Sequence, residues 1–273
     1  MIPAAAEQGS WFGAWFLGLL QGLTEFLPVS SSGHLVLFQR FIPVSGDHVL
    51  FDLVLHLGTL LPVLWFYRRD VGEMIAAPFV GEGSVLERDG VKLAGLLVLA
   101  TVPTALIGIA FKDLFEVWFS TPAVLVVTFA ITGGLLFGSR FLNGTRGLAG
   151  MTWWHALVLG LAQGLAITPG ISRSGTTIVV AMMLGLSPVF AARFSFLMSV
   201  PVILGAVVLK LKDADVATLD VPALTIGGLT AMASGYAALV LLVLILKNRR
   251  LSTFAYYCWG AAVVAGIVAF GLG

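Results

Sequence analysis

The chain has 273 residues, of which 59% are hydrophobic and only 11% are charged, and its formal net charge is +1. Because an ordinary soluble domain carries roughly 25% charged residues, this composition predicts an integral membrane protein. The small net charge excludes a protein that neutralises nucleic-acid phosphates, and the single cysteine, Cys258, excludes an internal disulfide.

The first predicted element is a helical hairpin rather than a spanning helix. Residues 1–10 lack the basic region of a cleavable signal peptide and are predicted to be a short tail outside the membrane. Residues 11–25 and 32–43 are apolar but too short to cross a bilayer, which takes about 20 residues. Because proline and serines separate these arms, we predict that the chain re-enters the side it came from; a single kinked spanning helix is the alternative.

Six apolar stretches are long enough to span the membrane, and a second short hairpin interrupts them. In chain order they are the spans 50–67, 93–111 and 121–140, the hairpin arms 152–166 and 175–186, and the spans 190–210, 222–246 and 253–272. The predicted fold class is therefore an all-α membrane protein with six transmembrane helices and two re-entrant helical hairpins. No separate soluble domain is predicted, so residues 1–273 form one membrane domain.

The two hairpins repeat one sequence pattern. Residues 17–36 read LGLLQGLTEFLPVSSSGHLV and residues 159–178 read LGLAQGLAITPGISRSGTTI, so nine positions are identical without a gap. Because three spans separate the copies, the second hairpin must enter from the opposite face. This predicts inverted repeats at approximately 11–140 and 152–272, an arrangement whose broken segments point to the binding site.

The distribution of basic residues predicts the orientation. With the N-terminus outside, nine Lys and Arg residues fall in inner loops: Arg68, Arg69, Arg88, Lys92, Arg140, Arg146, Lys247, Arg249 and Arg250. Only four fall in outer loops: Arg40, Lys112, Lys210 and Lys212. The positive-inside rule therefore predicts both termini outside.

Most of the unusual polar residues lie in the two hairpin breaks. They are Glu25, Ser30, Ser31, Ser32 and His34 in the first, and Ser172, Arg173, Ser174, Thr176 and Thr177 in the second. Ionisable groups at membrane depth cost several kcal/mol unless paired or wet, so a functional role is the default hypothesis. Each Ser-x-Ser-Gly also begins a short helix, whose N-terminus favours an anion. Two such termini with one arginine predict a phosphate or diphosphate site.

Some polar residues have structural alternatives. Ser30 and Ser172 can be helix N-caps, and Gln21, like its repeat partner Gln163, can hydrogen-bond between helices. Asp52 and His56 lie four residues apart on one face of the first span. They either line the same cavity or pair with each other.

These motifs resemble the undecaprenyl-diphosphate phosphatase family of bacterial inner membranes, which is also associated with bacitracin resistance. Its first signature, Glu/Gln-x-x-x-Glu, is present as Gln21 and Glu25, and its second, Pro-Gly-x-Ser-Arg-Ser-x-x-Thr, runs from Pro169 to Thr177. Length and span number also match, so the resemblance covers essentially the whole chain. Many members have Glu where this chain has Gln21, which can be neither a proton carrier nor an anionic metal ligand.

The resemblance implies hydrolysis of undecaprenyl diphosphate to undecaprenyl phosphate and inorganic phosphate. It places the reaction at the outer face of the bacterial inner membrane, where it recycles the lipid carrier of peptidoglycan synthesis. The lipid substrate would enter laterally from the bilayer. The motif-matched residues are Glu25, Ser31, His34, Arg173 and Thr177.

Within this reading Arg173 binds phosphate and stabilises transition-state charge, and the further substrate-binding candidates are Gln21, Ser30, Ser172, Ser174 and Thr177. The nucleophile is Ser31, a water molecule with His34 as base or proton donor, or His34 itself. Glu25 either orients His34 or holds a divalent cation, Mg²⁺ or Ca²⁺, for which Asp52 is a second, weaker ligand. No organic cofactor is expected.

The alternative function is an inverted-repeat transporter or flippase for an anionic lipid or small anion, since broken helices are typical of transporters. A transporter has no need of a serine, a histidine and a glutamate gathered beside an arginine, and a purely structural subunit leaves the polar cluster unexplained. The sequence leaves the oligomeric state open, with a homodimer among the possibilities.

Overall fold

The computed structural model of the chain describes residues 4–42, 48–79, 85–210 and 220–271, and within these ranges the protein is helical and forms no strand. The α-helices are α1 (Ala4–Phe26), α2 (Ser31–Phe38), α3 (His48–Phe66), α4 (Arg68–Ala76), α5 (Val85–Ala110), α6 (Lys112–Phe119), α7 (Ala123–Gly138), α8 (Trp153–Leu165), α9 (Arg173–Met183), α10 (Pro188–Lys210), α11 (Val221–Lys247) and α12 (Phe254–Gly271).

Among the described residues, six helical segments are long and apolar enough to cross a membrane. They are Val49–Phe66, Arg88–Ala110, Ala123–Phe141, Pro188–Leu209, Val221–Lys247 and Leu251–Gly271. Each coincides within a few residues with a predicted span, so the all-α membrane class with six spans is confirmed. Parts of four predicted segments lie outside the described residues. They are residues 1–3 of the tail, residue 43 of the first hairpin, Lys212 of an outer loop and residues 272–273 at the C-terminus.

The hairpin arms are helices that break where the sequence predicts. Helix α1 starts at Ala4, so most of the predicted tail is helical, and it ends at Phe26 just before Pro28. Helix α2 has only eight residues and is shorter than the predicted arm 32–43. Helices α8 and α9 lie close to the predicted arms 152–166 and 175–186.

The first arm of each hairpin packs on a spanning helix of the other half of the chain: α1 on α11, and α8 on α5. Glycines allow the closest of these contacts. A Cβ atom at Gly18 would lie 3.0 Å from the Cα of Gly227, and one at Gly160 would lie 2.9 Å from the carbonyl carbon of Ala100. Small residues let helix backbones approach this closely in membranes, and this close packing carries both breaks into the interior.

The hydrophobic core surrounds the second break. Phe194 and Phe196 of α10 and Ile178 and Val179 of α9 are almost completely buried within it. At one end of α10, Arg193 forms an ion pair with Asp70 of α4. The core therefore packs against the buried face of α9, while Arg173 in the first turn of α9 meets Glu25 at the first break.

The packing of α1 on α11 predicts a specific sensitivity at Gly22. A Cβ there would lie 2.5 Å from the carbonyl oxygen of Ala231 and 2.7 Å from the backbone nitrogen of Gly235. We expect Gly22→Ala to destabilise the detergent-solubilised protein by about 1–3 kcal/mol because it overpacks a backbone contact. Thermal unfolding measures the effect.

The matched control is Gly95→Ala in α5, where an added Cβ meets no atom within 4 Å. We expect this variant to unfold at or above the wild-type temperature, because alanine favours helix more than glycine does. Equal melting of both variants would contradict the close-packing account.

Candidate active site

The first break is a capped turn with a strained residue. Ser30 has φ 68° and ψ 95°, a conformation that costs a non-glycine residue about 1–3 kcal/mol. Its Oγ accepts a hydrogen bond from the backbone N–H of Gly33 at 3.3 Å and lies 3.3 Å from the Oγ of Ser32. Ser30 is therefore the N-cap of α2, and its conformation directs the start of that helix into the protein.

The second break repeats this cap. The Oγ of Ser172 accepts from the N–H of Gly175 at 3.1 Å and lies 3.3 Å from the Oγ of Ser174. Gly170 supplies the positive φ, +85°, that the turn needs. In each helix the cap uses the amide of the third helical residue, so the amides of the first two remain available to a ligand.

The two breaks lie against each other. A Cβ at Gly33 would come within 2.9 Å of the Cα of Gly170, and one at Gly175 would lie 3.1 Å from the Cβ of Pro28. Thr132 of α7 fixes the second break, because its Oγ donates to the carbonyl of Gly170 at 3.0 Å and accepts from the N–H of Ser172 at 3.1 Å. The N-termini of α2 and α9 consequently meet in the interior.

The carboxylate of Glu25 is the centre of the site. Its Oε1 forms an ion pair with Arg173, which joins the first break to the second. Its Oε2 accepts from the Oγ of Ser31 at 2.5 Å and from the Nε2 of Gln21 at 3.0 Å, and the Nε2 of His56 lies 4.0 Å away. The Glu25 side chain is only 5% exposed, so these groups replace water around a buried charge.

Arg173 has a hydrogen-bond donor that no described residue accepts. Only its Nη2 contacts Glu25, while its Nη1 is buried and has no hydrogen-bond partner among the described residues. A buried guanidinium N–H without a partner is costly. Because guanidinium binds phosphate bidentately, the geometry suits a phosphate group beside Arg173 and Ser31.

His34 turns away from Glu25. Its Nδ1 lies 2.7 Å from the carbonyl oxygen of Ser30, and its Nε2 lies 2.8 Å from the hydroxyl of Tyr257 on α12. A carbonyl can only accept, so Nδ1 donates to Ser30, and in the neutral tautomer this leaves Nε2 to accept from the hydroxyl of Tyr257. The ring is also stacked on Tyr257 and lies edge-on to Phe129. Glu25 and His34 share no hydrogen bond in this arrangement, so no direct contact supports the hypothesis that Glu25 orients His34.

The remaining candidates lie around this centre. Thr177 donates to the carbonyl of Arg173 at 2.8 Å and lies 2.5 Å from the Oγ of Ser195, so its hydroxyl is engaged by the protein. Asp52 accepts from the Nε2 of Gln39 at 2.6 Å through Oδ1. His56 donates from Nδ1 to the backbone carbonyl of Asp52 at 2.7 Å, which directs Nε2 toward Glu25.

A metal ion has few protein ligands here. The described residues contain no group of three or more His, Cys, Asp or Glu side chains placed to hold one. The Glu25 carboxylate already accepts from Arg173, Ser31 and Gln21. The role of Glu25 and Asp52 as ligands of a divalent cation stays a prediction.

Comparison with known proteins identifies the family. The sequence model described as Bacitracin resistance protein BacA matches residues 14–264. The chain belongs to this family. It is 44% identical over 254 residues to the undecaprenyl-diphosphatase of Carboxydothermus hydrogenoformans, covering 91% of this chain and 93% of that protein. It is 45% identical over 254 residues to the undecaprenyl-diphosphatase of Syntrophotalea carbinolica, covering 92% and 95%.

In this BacA family member the two sequence signatures meet in space. Glu25 of the first signature forms an ion pair with Arg173 of the second, and Gln21 donates to the same carboxylate. Sequence reasoning found these residues, expected His56 either to line the cavity or to pair with Asp52, and missed Tyr257. The spacing of Asp52 and His56 signalled a shared helix face, whereas nothing local connects Tyr257 with His34, 223 residues away.

Because Nη1 of Arg173 has no hydrogen-bond partner among the described residues, we expect Arg173 to bind an inorganic diphosphate in this BacA family member. Arg173→Ala is expected to weaken binding at least about 10-fold, since hydrogen bonds to charged groups contribute about 1.5–3 kcal/mol. Arg173→Lys should recover only part of the affinity, because an ammonium lacks the bidentate fork. Isothermal titration calorimetry of the detergent-solubilised protein measures this order. Arg140→Ala, an exposed arginine on Phe137, is the matched control and should bind as wild type; unchanged affinity in Arg173→Ala would refute the phosphate site.

Proposed function

We propose that this chain is an undecaprenyl-diphosphatase that releases inorganic phosphate from the lipid diphosphate and returns undecaprenyl phosphate to cell-wall synthesis. One observation carries the proposal: the buried carboxylate of Glu25 holds both the cation of Arg173 and the hydroxyl of Ser31. A phosphate-binding charge and a nucleophile with an adjacent base are the parts that phosphoryl transfer needs. The names of the similar proteins agree with this chemistry.

Ser31 is the nucleophile in this proposal. Its Oγ attacks the terminal phosphorus, its proton passes to Oε2 of Glu25, and the anhydride P–O bond breaks to release undecaprenyl phosphate. A water molecule then attacks the phosphoserine, and inorganic phosphate leaves as the serine oxygen regains a proton. Arg173 and the amides at the starts of α2 and α9 bind the phosphate oxygens throughout.

The contacts of the two candidate nucleophiles favour Ser31 over His34. The hydroxyl of Ser31 already donates to a carboxylate, which can take its proton. The lone pair on Nε2 of His34 is occupied by the hydroxyl of Tyr257, and its other nitrogen carries a proton toward Ser30. In this reading His34 fixes the start of α2, and its predicted acid–base role stays open to test.

The proposed architecture is an inverted repeat with two re-entrant hairpins. Two reciprocal contacts support it. Helix α1 packs on α11 while α8 packs on α5, and Gly33 abuts Gly170 while Gly175 abuts Pro28. In each pair, replacing the residues or helices by their equivalents in the other repeat turns the first contact into the second. Such reciprocity is expected of two repeats that are related by a two-fold axis. A single kinked span at either break is disfavoured because the breaks meet deep inside the protein.

The proposed location is the bacterial inner membrane, with both termini and the site opening outside. The distribution of Lys and Arg between the loops supports this orientation. Dependence on Mg²⁺ or Ca²⁺ also stays a prediction; a divalent ion would neutralise diphosphate charge, and titration of metal-depleted protein tests it. A homodimer is likewise a prediction, which light scattering in detergent tests.

The serine pair predicts a clean separation of roles. Purified protein given a polyprenyl diphosphate should release phosphate, and Ser31→Ala should lower turnover by about 10² or more because the nucleophile is lost. Ser32→Ala is the matched control, since the hydroxyl of Ser32 forms a side-chain hydrogen bond only with that of Ser30 among the described residues, and it should keep turnover within a few-fold of wild type.

Rapid quenching should trap a phosphoenzyme in wild type but not in Ser31→Ala. Phosphate on a histidine would refute the serine route, and direct solvent-oxygen transfer without a phosphoenzyme would favour activated water. A folded wild-type protein that binds the lipid without releasing phosphate would favour the transporter alternative.

The orientation is tested by single cysteines placed in a Cys258→Ala background, since native Cys258 is buried. Ser120 lies between α6 and α7, and Arg146 lies between α7 and α8; both are exposed. An impermeant maleimide added to spheroplasts should label Ser120→Cys but not Arg146→Cys, which should react only after the membrane is opened. Labelling of both positions from one face would refute the odd number of spans between the repeats.

A further inference from the structure

Helix α12 contacts the first break through Tyr257, a residue that belongs to neither sequence signature. The hydroxyl of Tyr257 lies 2.8 Å from Nε2 of His34, and the two rings are stacked, with centroids 5.6 Å apart and planes inclined by 18°. At the next residue, Cys258, the thiol lies 3.7 Å from the carbonyl oxygen of Pro28. Helix α12 therefore contacts the break both before and after Ser30.

The position of Tyr257 is fixed by the packing of its own helix. Helix α12 packs on α7, where the indole nitrogen of Trp259 donates to the carbonyl oxygen of Ala130 at 3.3 Å. Phe129 of α7 lies edge-on to His34, with ring centroids 5.3 Å apart. The imidazole of His34 is thus held between an aromatic ring of α7 and one of α12.

The hydrogen bonds of His34 define its tautomer. His34 is 3% exposed, and no ion pair joins it to an acidic side chain among the described residues, so its neutral form is favoured. In that form Nδ1 donates to the carbonyl oxygen of Ser30 at 2.7 Å, and Nε2 can only accept. The hydroxyl of Tyr257 is the donor that a buried lone pair at Nε2 needs.

The carbonyl of Ser30 matters because it belongs to the strained residue that precedes the nucleophile. Ser30 has φ 68°, and such a conformation persists only where the surrounding structure over-determines it. Its carbonyl oxygen accepts from Nδ1 of His34 at 2.7 Å and from the backbone N–H of His34 at 3.3 Å. The next residue, Ser31, donates its hydroxyl to Glu25. A chain of hydrogen bonds therefore runs from Tyr257 through His34 to the backbone that carries Ser31.

We propose that Tyr257 is a positioning residue of the phosphatase reaction. Its hydroxyl holds the neutral imidazole of His34 in place, and His34 thereby holds Ser30 in the conformation that aims Ser31 at Glu25. This inference rests on the function proposed above. Tyr257 touches neither the phosphate nor the reacting atoms and acts only through His34, whose role then requires no change of protonation during the reaction.

The first test reads the state of His34 directly and does not depend on activity. The chain contains four histidines, so NMR of protein labelled with ¹⁵N at histidine gives few signals, and those of His34 are the ones lost in His34→Asn. Wild type should show a protonated Nδ1 and an unprotonated Nε2 at His34. In Tyr257→Phe the Nε2 signal should shift, because its lone pair loses the donor.

The second test is the turnover of a polyprenyl diphosphate by Tyr257→Phe, which removes the hydroxyl and keeps the stacked ring. We expect kcat to fall about 10-fold with KM within about twofold of wild type, because a displaced nucleophile slows the chemical step and leaves the substrate contacts intact.

The matched control for both tests is Tyr256→Phe. Tyr256 is the neighbouring residue on α12, is 64% exposed, and contacts the rings of Phe137 and Trp259 rather than His34. This variant should keep the wild-type signals of His34 as well as kcat and KM.

A third test uses His34→Asn to separate positioning from acid–base catalysis. An asparagine amide can donate to the carbonyl four residues earlier, as Nδ1 of His34 does, but its side chain is too short to reach Tyr257. We expect His34→Asn to turn over at least about 10-fold faster than His34→Ala. Tyr257→Phe should have no further effect in the His34→Asn background, because the two changes interrupt the same chain of hydrogen bonds.

The outcomes are separable. A proton on Nε2 of His34 in wild type, an unchanged Nε2 signal or wild-type kcat in Tyr257→Phe, or additive effects of the two changes would each overturn the role of Tyr257 and leave the phosphatase intact. Equal turnover of His34→Asn and His34→Ala would do the same, because His34 would then act through its own proton. If Tyr257→Phe does not fold, the wild-type signals and the His34 variants decide. Absence of phosphate release by wild type would instead overturn the proposed function itself.

Discussion

The buried ion pair between Glu25 and Arg173 is the interaction on which the rest of this structure depends. The carboxylate ends α1 of the first repeat, and the guanidinium begins α9 of the second. Neither charge can be buried alone at this depth, since an unpaired ion in the membrane interior costs several kcal/mol. The pair therefore requires that two breaks, almost 150 residues apart in sequence, meet at one point.

That meeting requires small residues. Gly33 against Gly170 and Gly175 against Pro28 bring the two turns into backbone contact. Side chains at the glycines would separate the turns and lengthen the ion pair. Glycine-mediated packing of α1 and α8 on spanning helices adds close backbone contacts to the apolar core that the large side chains form.

The protein satisfies the hydrogen-bonding groups of the site only in part. Nη1 of Arg173 and Oε1 of Gln21 are buried without hydrogen-bond partners among the described residues, and Ser30 holds a strained backbone. Such groups are destabilising in an empty protein and become favourable when a ligand uses them. Their concentration around one carboxylate is consistent with a site organised for an anion.

The sequence by itself determined the membrane class, the six spans and the positions of the two helix breaks, and it singled out the polar residues that meet there. These follow from local facts: runs of apolar residues, Pro and Ser breaks, and ionisable groups where lipid would exclude them. Glu25 and Arg173 were predicted because an ionisable group is costly at each position, and Ser31 because it lies in the first break and matches the motif of the resembled family.

Tertiary structure alone decided which of these residues touch. Ser31, rather than His34, binds Glu25, because the start of α2 turns one side chain inward and the other toward Tyr257 of α12. His56 shares a face with Asp52, as the spacing indicates, but only the packing of α3 beside α1 aims its free nitrogen at Glu25. Contacts between distant helices depend on rotation and depth, which a single sequence does not encode locally.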